Sequence, residues 1–133
     1  MTVPIEAPAW VNAYTGTPYV AGGRSRDGAD CWGLFRLVQK DRWGRDLPLF
    51  DGMAWSKETS DEIARVMSEN RGSWRPIWEK SSPTEPLPDE LVEQPGDGLL
   101  IRMRARPIHV ATVVAPGWML HTDEGHDALP ERF

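Results

Sequence analysis

Residues 28–44, GADCWGLFRLVQKDRWG, decide the fold. Cys31, Leu34, Phe35 and Val38 fall at i, i+3, i+4 and i+7, which is one face of an α-helix. Arg36, Gln39 and Lys40 fall on the other face. Asp30 is suited to cap the helix start and Gly44 to stop it, so the pattern predicts a helix over Cys31–Trp43. A thiol in the first helical turn lies near unpaired backbone N–H groups and the positive end of the helix dipole. Both favour thiolate, which is the nucleophilic form. The same cysteine also reads as a small apolar residue on the buried helix face.

Upstream, Tyr19 to Asp30 (YVAGGRSRDGAD) is rich in glycine and charge and reads as a loop. Ala9 to Tyr14 suits a short helix stopped by Thr15-Gly16-Thr17-Pro18, and the first eight residues form an arm. Downstream, Thr59 and Glu62 have capping-box spacing. Ile63, Val66 and Met67 would form the apolar face of a second helix ending at Gly72. Glu79 to Glu93, acidic and with three prolines, reads as a surface loop. Strands are expected over Gly98–Arg104, His109–Val114 and Trp118–Thr122, with a polar, loosely held tail after Gly125. Helices first and strands later give an α+β class with a mostly antiparallel sheet, in one domain spanning 1–133.

The chain has 133 residues and a net charge of −5, which disfavours general nucleic-acid binding. No run of eighteen apolar residues predicts a membrane span. The start, MTVPIEAPAW, lacks the basic-then-apolar pattern of a secretory signal. The single cysteine, Cys31, excludes an internal disulfide and a multi-thiolate metal site. Seven tryptophans point to a core, an interface or a sugar-facing groove, and Trp32 adjoins the thiol.

A nucleophilic cysteine needs a base, and the chain offers His109, His121 and His126. A hairpin centred on Ala115 sets His109 opposite His121 on one face. One centred on Pro116-Gly117 puts them on opposite faces unless a bulge intervenes. Each histidine also has an ordinary structural reading. Cys31, His109, His121 and Asp123 could supply metal ligands, although their spacing matches no familiar zinc pattern. Tyr19 could donate to an oxyanion beside the Cys31 N–H, or simply pack the helix start. Arg102, Arg104 and Arg106 alternate, either to bind carboxylates or to blunt an edge strand.

Taken together, these segments resemble the NlpC/P60 family of papain-like cysteine peptidases. Residues 16–23 (GTPYVAGG) are similar to its G-x-P-Y-x-x-G-G approach loop. Residues 28–34 (GADCWGL) are similar to its G-x-D-C-S-G-L nucleophile motif. Residues 95–100 (PGDGLL) resemble the P-G-D-L start of a strand, His109-Val110-Ala111 the H-V-G base motif, and Leu120-His121 the later I-H pair. The blocks keep family order over about residues 9–123.

The resemblance implies the papain-like α+β fold, with Cys31 as nucleophile, His109 as base, His121 orienting that base and Tyr19 helping to hold the oxyanion. It implies hydrolysis of amide bonds in peptidoglycan stem peptides through an acyl-enzyme, with no metal or cofactor. Two positions depart from the pattern. Trp32 replaces the usual Ser, which would reshape the pocket beside the thiol, and Ala111-Thr112 replaces the usual Gly. The D-C-W-G-L form looks most like members from the tails of siphophages and gene transfer agents. It implies a virion tail-tip protein that contacts tail hub proteins and meets the cell wall with the particle. The alternative is a structural tail protein that keeps the fold for docking, using the stretch from Trp55 to Glu93, with Trp74 and Trp78 as contacts. Acyl transfer by the same Cys–His chemistry is a third reading.

Overall fold

The computed structural model describes residues 7–47, 49, 88, 91–101 and 109–133. The expected second helix, Arg102, Arg104, Arg106, Trp55, Trp74, Trp78 and most of the acidic loop lie outside the described residues. A short 3-10 helix covers Ala9–Ala13. Next come β1 (Arg24–Ser25) and β2 (Gly28–Ala29), a small antiparallel pair. The helix α1 (Cys31–Trp43) follows, then β3 (Gly98–Ile101), β4 (His109–Ala115), β5 (Trp118–Asp123) and β6 (His126–Arg132). The last four form one antiparallel sheet in the order β3-β4-β5-β6, against which α1 packs. This is the expected α+β arrangement. Among the described residues, no helix is long and apolar enough to cross a membrane.

The helix has the predicted bounds, and its caps explain them. The Asp30 side chain accepts from the Gly33 N–H, and Gly44 adopts the left-handed conformation at φ 66°. Cys31, Leu34, Phe35 and Val38 are buried as the periodicity requires. Gln39 departs from its expected exposed face and is fully buried. It lies two turns beyond Cys31 and one turn beyond Phe35 on the i, i+4, i+8 row, and its burial is compensated by hydrogen bonds. Its amide donates to the Gly96 carbonyl and to Thr112 Oγ1, and its oxygen accepts from Arg45.

The core joins Val11, Tyr14 and Ala29 to Leu34 and Val38 of the helix and to Val114, Leu120 and Ala128 of the sheet. Burying side chains of this kind contributes about 1.5–3 kcal/mol each for the larger aliphatics. β4 is buried along its whole length, as its β-branched run suggests.

Two sequence expectations are corrected. The stretch from Tyr19 to Asp30 is not simply a loop, because it contains the β1–β2 pair and a bridge between Tyr19 and Ala29. The segment after Gly125 is not loosely held either. His126–Arg132 is a strand hydrogen-bonded to β5 in register, with Leu129 opposite His121 and Glu131 opposite Met119. Ala128 anchors it in the core, and its N–H and C=O also bond the approach loop at Thr17 and Gly16. An edge strand can carry Pro130 and several charges, which is why its sequence reads as coil.

Candidate active site

The start of α1 is built around Asp30, a carboxylate with 0% exposure. One oxygen accepts from the Gly33 N–H at 2.8 Å and from the Arg24 guanidinium at 2.8 Å, and the other accepts from the Gly22 N–H at 3.0 Å. One side chain thus caps the helix and ties down the glycine-rich approach. A buried charge is tolerated only when paired and hydrogen-bonded in this way. The backbone is equally close. A Cβ on Gly33 would lie 2.0 Å from the Gly23 carbonyl oxygen, and one on Gly23 would lie 2.3 Å from that of Gly28.

Cys31 follows at the first position of the helix and is 3% exposed. Its sulphur is approached by the backbone N–H groups of Val110 and Trp32. Val110 is the residue after His109, so the thiol lies against the end of β4 that carries the expected base. Burial pushes the thiol pKa well up, and the carboxylates of Asp30 and Asp123 push the same way, while the two N–H groups pull it down. Burial thus opposes the effect of the helix start that the sequence pattern points to. Trp32 is buried and packs its ring on Phe35, with centroids 5.7 Å apart.

The two expected histidines come together. The turn is centred on Pro116-Gly117, and the register shifts between Val113 and Ala115. That bulge changes parity, so His109 and His121 share one face. His109 Nε2 and His121 Nδ1 are 2.7 Å apart, with rings nearly perpendicular. Burial, followed by the neighbouring His121, pushes the His109 pKa down to about 4. Burial also lowers His121, opposed by the Glu131 carboxylate.

Glu131 is a neighbour that the sequence reading missed. Its Oε2 lies 2.5 Å from His121 Nε2. It stands diagonally across the β5–β6 ladder from His121, a position that becomes visible only once β6 is recognised as a strand. His126 packs its ring 4.9 Å from that of His121 and uses Nδ1 on the Asp127 carbonyl.

Tyr19 is half-buried beside this group. Its backbone N–H donates to Asp127, and the Val20 N–H donates to the Ala29 carbonyl, so β2 and β6 hold it from two sides. Burial, together with the charges of Asp30, Cys31, Glu124 and Asp123, pushes its phenol up to about 12. The hydroxyl therefore keeps its proton and remains a donor at any working pH. Among the described residues, no group of three or more His, Cys, Asp or Glu is arranged to hold a metal ion.

Comparison with known proteins bears on the fold and the family. No match was found among curated proteins. Among solved structures, the crystal structure of the NlpC/P60 domain of the peptidoglycan hydrolase SagA superposes with a TM-score of 0.53. It is 24% identical, and the match covers 93% of this chain and 84% of that one, so the two share a fold. The sequence model of the NlpC/P60 family matches residues 16–129, from the approach loop to β6. With that match running over most of its length, the chain belongs to the NlpC/P60 family and is an enzyme of the family's cysteine endopeptidase type.

Proposed function

We propose that this protein hydrolyses amide bonds in the stem peptides of peptidoglycan, with Cys31 as nucleophile, His109 as general base, His121 orienting His109, and Tyr19 as an oxyanion donor. The observation that carries this reading is the hydrogen-bonded His109–His121 pair, set next to a thiol that lies at the backbone of Val110.

Burial favours the uncharged forms of both Cys31 and His109, so the nucleophile is generated during attack. The thiol proton passes to His109 as sulphur bonds to the scissile carbonyl carbon. The resulting oxyanion accepts from the Tyr19 hydroxyl and from the Cys31 N–H, which a first-turn residue leaves free of intrahelical bonding. Collapse breaks the C–N bond, and the His109 imidazolium gives its proton to the leaving amine. Water then attacks the thioester with His109 again as base, returning the acid product and the free thiol.

Digestion of purified sacculi tests the assignment. The wild type should release stem fragments, and Cys31→Ala should release none while unfolding at the same temperature. Equal release by both rejects Cys31 as nucleophile.

We place the protein at the tip of a phage or gene-transfer-agent tail, in contact with tail hub proteins and delivered to the wall by the particle. The D-C-W-G-L form of residues 30–34 supports this placement. Immunogold labelling of purified particles should mark the tail tip, and label absent from particles rejects it. A docking role with little activity is the second reading, favoured by the 3% exposure of Cys31. Digestion of sacculi by wild-type particles that is lost in Cys31→Ala particles would exclude it, whereas no digestion by either would support it.

A further inference from the structure

We propose that Glu131 is a positioning residue for this reaction: its carboxylate fixes the hydrogen on His121 and thereby frees the His109 ring nitrogen that acts as base. The inference rests on the assignment of Cys31 and His109 above and adds a residue from β6 to it.

The reasoning follows the hydrogens. A carboxylate accepts and does not donate. Glu131 Oε2 is 2.5 Å from His121 Nε2, so His121 carries its hydrogen on Nε2. In a neutral ring this leaves a lone pair on Nδ1. That Nδ1 is 2.7 Å from His109 Nε2, so His109 must donate from Nε2. The lone pair of neutral His109 is then on Nδ1, the nitrogen that His121 does not engage. A base for the Cys31 proton requires that lone pair. With the carboxylate removed, the imidazole pair can reverse. His121 would donate from Nδ1, His109 would accept on Nε2, and its hydrogen would sit on Nδ1, where it blocks proton uptake.

Charge acts in the same sense. When His109 takes the thiol proton, the Glu131 carboxylate stabilises the new positive charge through the intervening His121. The charged and titratable groups acting on the pair come from two strands, Asp123 on β5 and His126 and Glu131 on β6, while the Cys31 thiol on α1 lies at the backbone N–H of Val110, the residue after His109. Asp123 also favours a protonated pair, and His126 opposes it. Glu131 is the one of these hydrogen-bonded to Nε2 of His121. Its side chain is 53% exposed, so replacing it leaves the core untouched.

The test pairs nitrogen-15 NMR of the histidine rings with sacculus digestion, using the full chain as wild type, Glu131→Ala, Glu131→Gln and Cys31→Ala. In the wild type, His109 and His121 should both carry hydrogen on Nε2. In Glu131→Ala the rings should become a tautomer mixture and kcat should fall about 10- to 100-fold with KM unchanged. That is less than the ~10⁴-fold loss seen when a buried orienting carboxylate is replaced, because water can reach this one. Glu131→Gln keeps an acceptor oxygen, so it should restore the tautomers and part of the rate. In both variants the acid limb of kcat should move to lower pH, since loss of the negative charge makes the pair harder to protonate. Wild-type tautomers in Glu131→Ala, or altered tautomers with unchanged kcat, overturn the proposal while an inactive Cys31→Ala leaves the nucleophile in place. Activity in Cys31→Ala overturns the nucleophile itself, and the NMR result still reads the role of Glu131.

Discussion

Replacing Gly33 by alanine sets two opposing effects against each other. Gly33 is the third residue of α1, and inside a helix alanine is favoured over glycine by about 1 kcal/mol. The new Cβ, however, would lie 2.0 Å from the Gly23 carbonyl oxygen, about 1.4 Å inside ordinary contact, with Gly23 C at 3.1 Å and Arg24 Cα at 3.3 Å. All three atoms are backbone, so no rotamer change relieves the clash. The Gly23 carbonyl is also held, accepting from Arg24 at 2.9 Å and from the Asp30 N–H at 3.4 Å. Overpacking of this kind costs about 1–3 kcal/mol, and each displaced hydrogen bond about 1 kcal/mol more. The clash therefore exceeds the propensity gain, and Gly33→Ala should destabilise by about 1–3 kcal/mol. Urea unfolding would show this as a lower midpoint at unchanged slope. The same displacement shifts the approach loop against the thiol, so sacculus digestion should slow more than the stability loss alone explains. A Gly33→Ala protein as stable and as active as the wild type would refute the idea that close backbone contact sets this helix start.

Two further outcomes follow from the site. Burial lowers His109 from 6.5 to about 4 and lowers His121 too, so between these values the unfolded chain binds protons that the folded one excludes. Stability is then fully present above pH 6.5 and lost as pH falls toward 4, with His109 contributing roughly 3 kcal/mol of that loss. Urea midpoints from pH 7 to 4 should fall more steeply for the wild type than for His109→Asn, and identical slopes would contradict the burial argument. Tyr19→Phe removes a hydroxyl that stays protonated, so kcat should drop about 100-fold with little change in KM, and an unchanged kcat would remove Tyr19 from the oxyanion site.

Local signals made α1 legible, because its cap, periodicity and stop coincide within Asp30 to Gly44. The strands carrying His109 and His121 were legible from their β-branched and apolar runs. Their pairing was not, since turn position and parity depend on a bulge between Val113 and Ala115 that no residue type there announces. β6 was hidden because a single small side chain, Ala128, is buried in it while proline and charges fill the rest. Glu131 was lost with it, for a residue facing His121 from a strand can be named only after the strand is. The surroundings of Cys31 were legible only in part: the helix start and the buried face are visible in sequence, whereas the approach of the Val110 N–H from β4 is a contact between residues distant in the chain.

β6 follows every other described element in the chain, yet it bonds the approach loop at Gly16 and Thr17, and its Glu131 contacts His121. During translation the nucleophile helix can form long before this strand leaves the ribosome. A nascent or prematurely terminated product would hold the cysteine but neither the brace for Tyr19 nor the partner of the imidazole pair. Completion of this cluster of side chains therefore waits until β6 has been made.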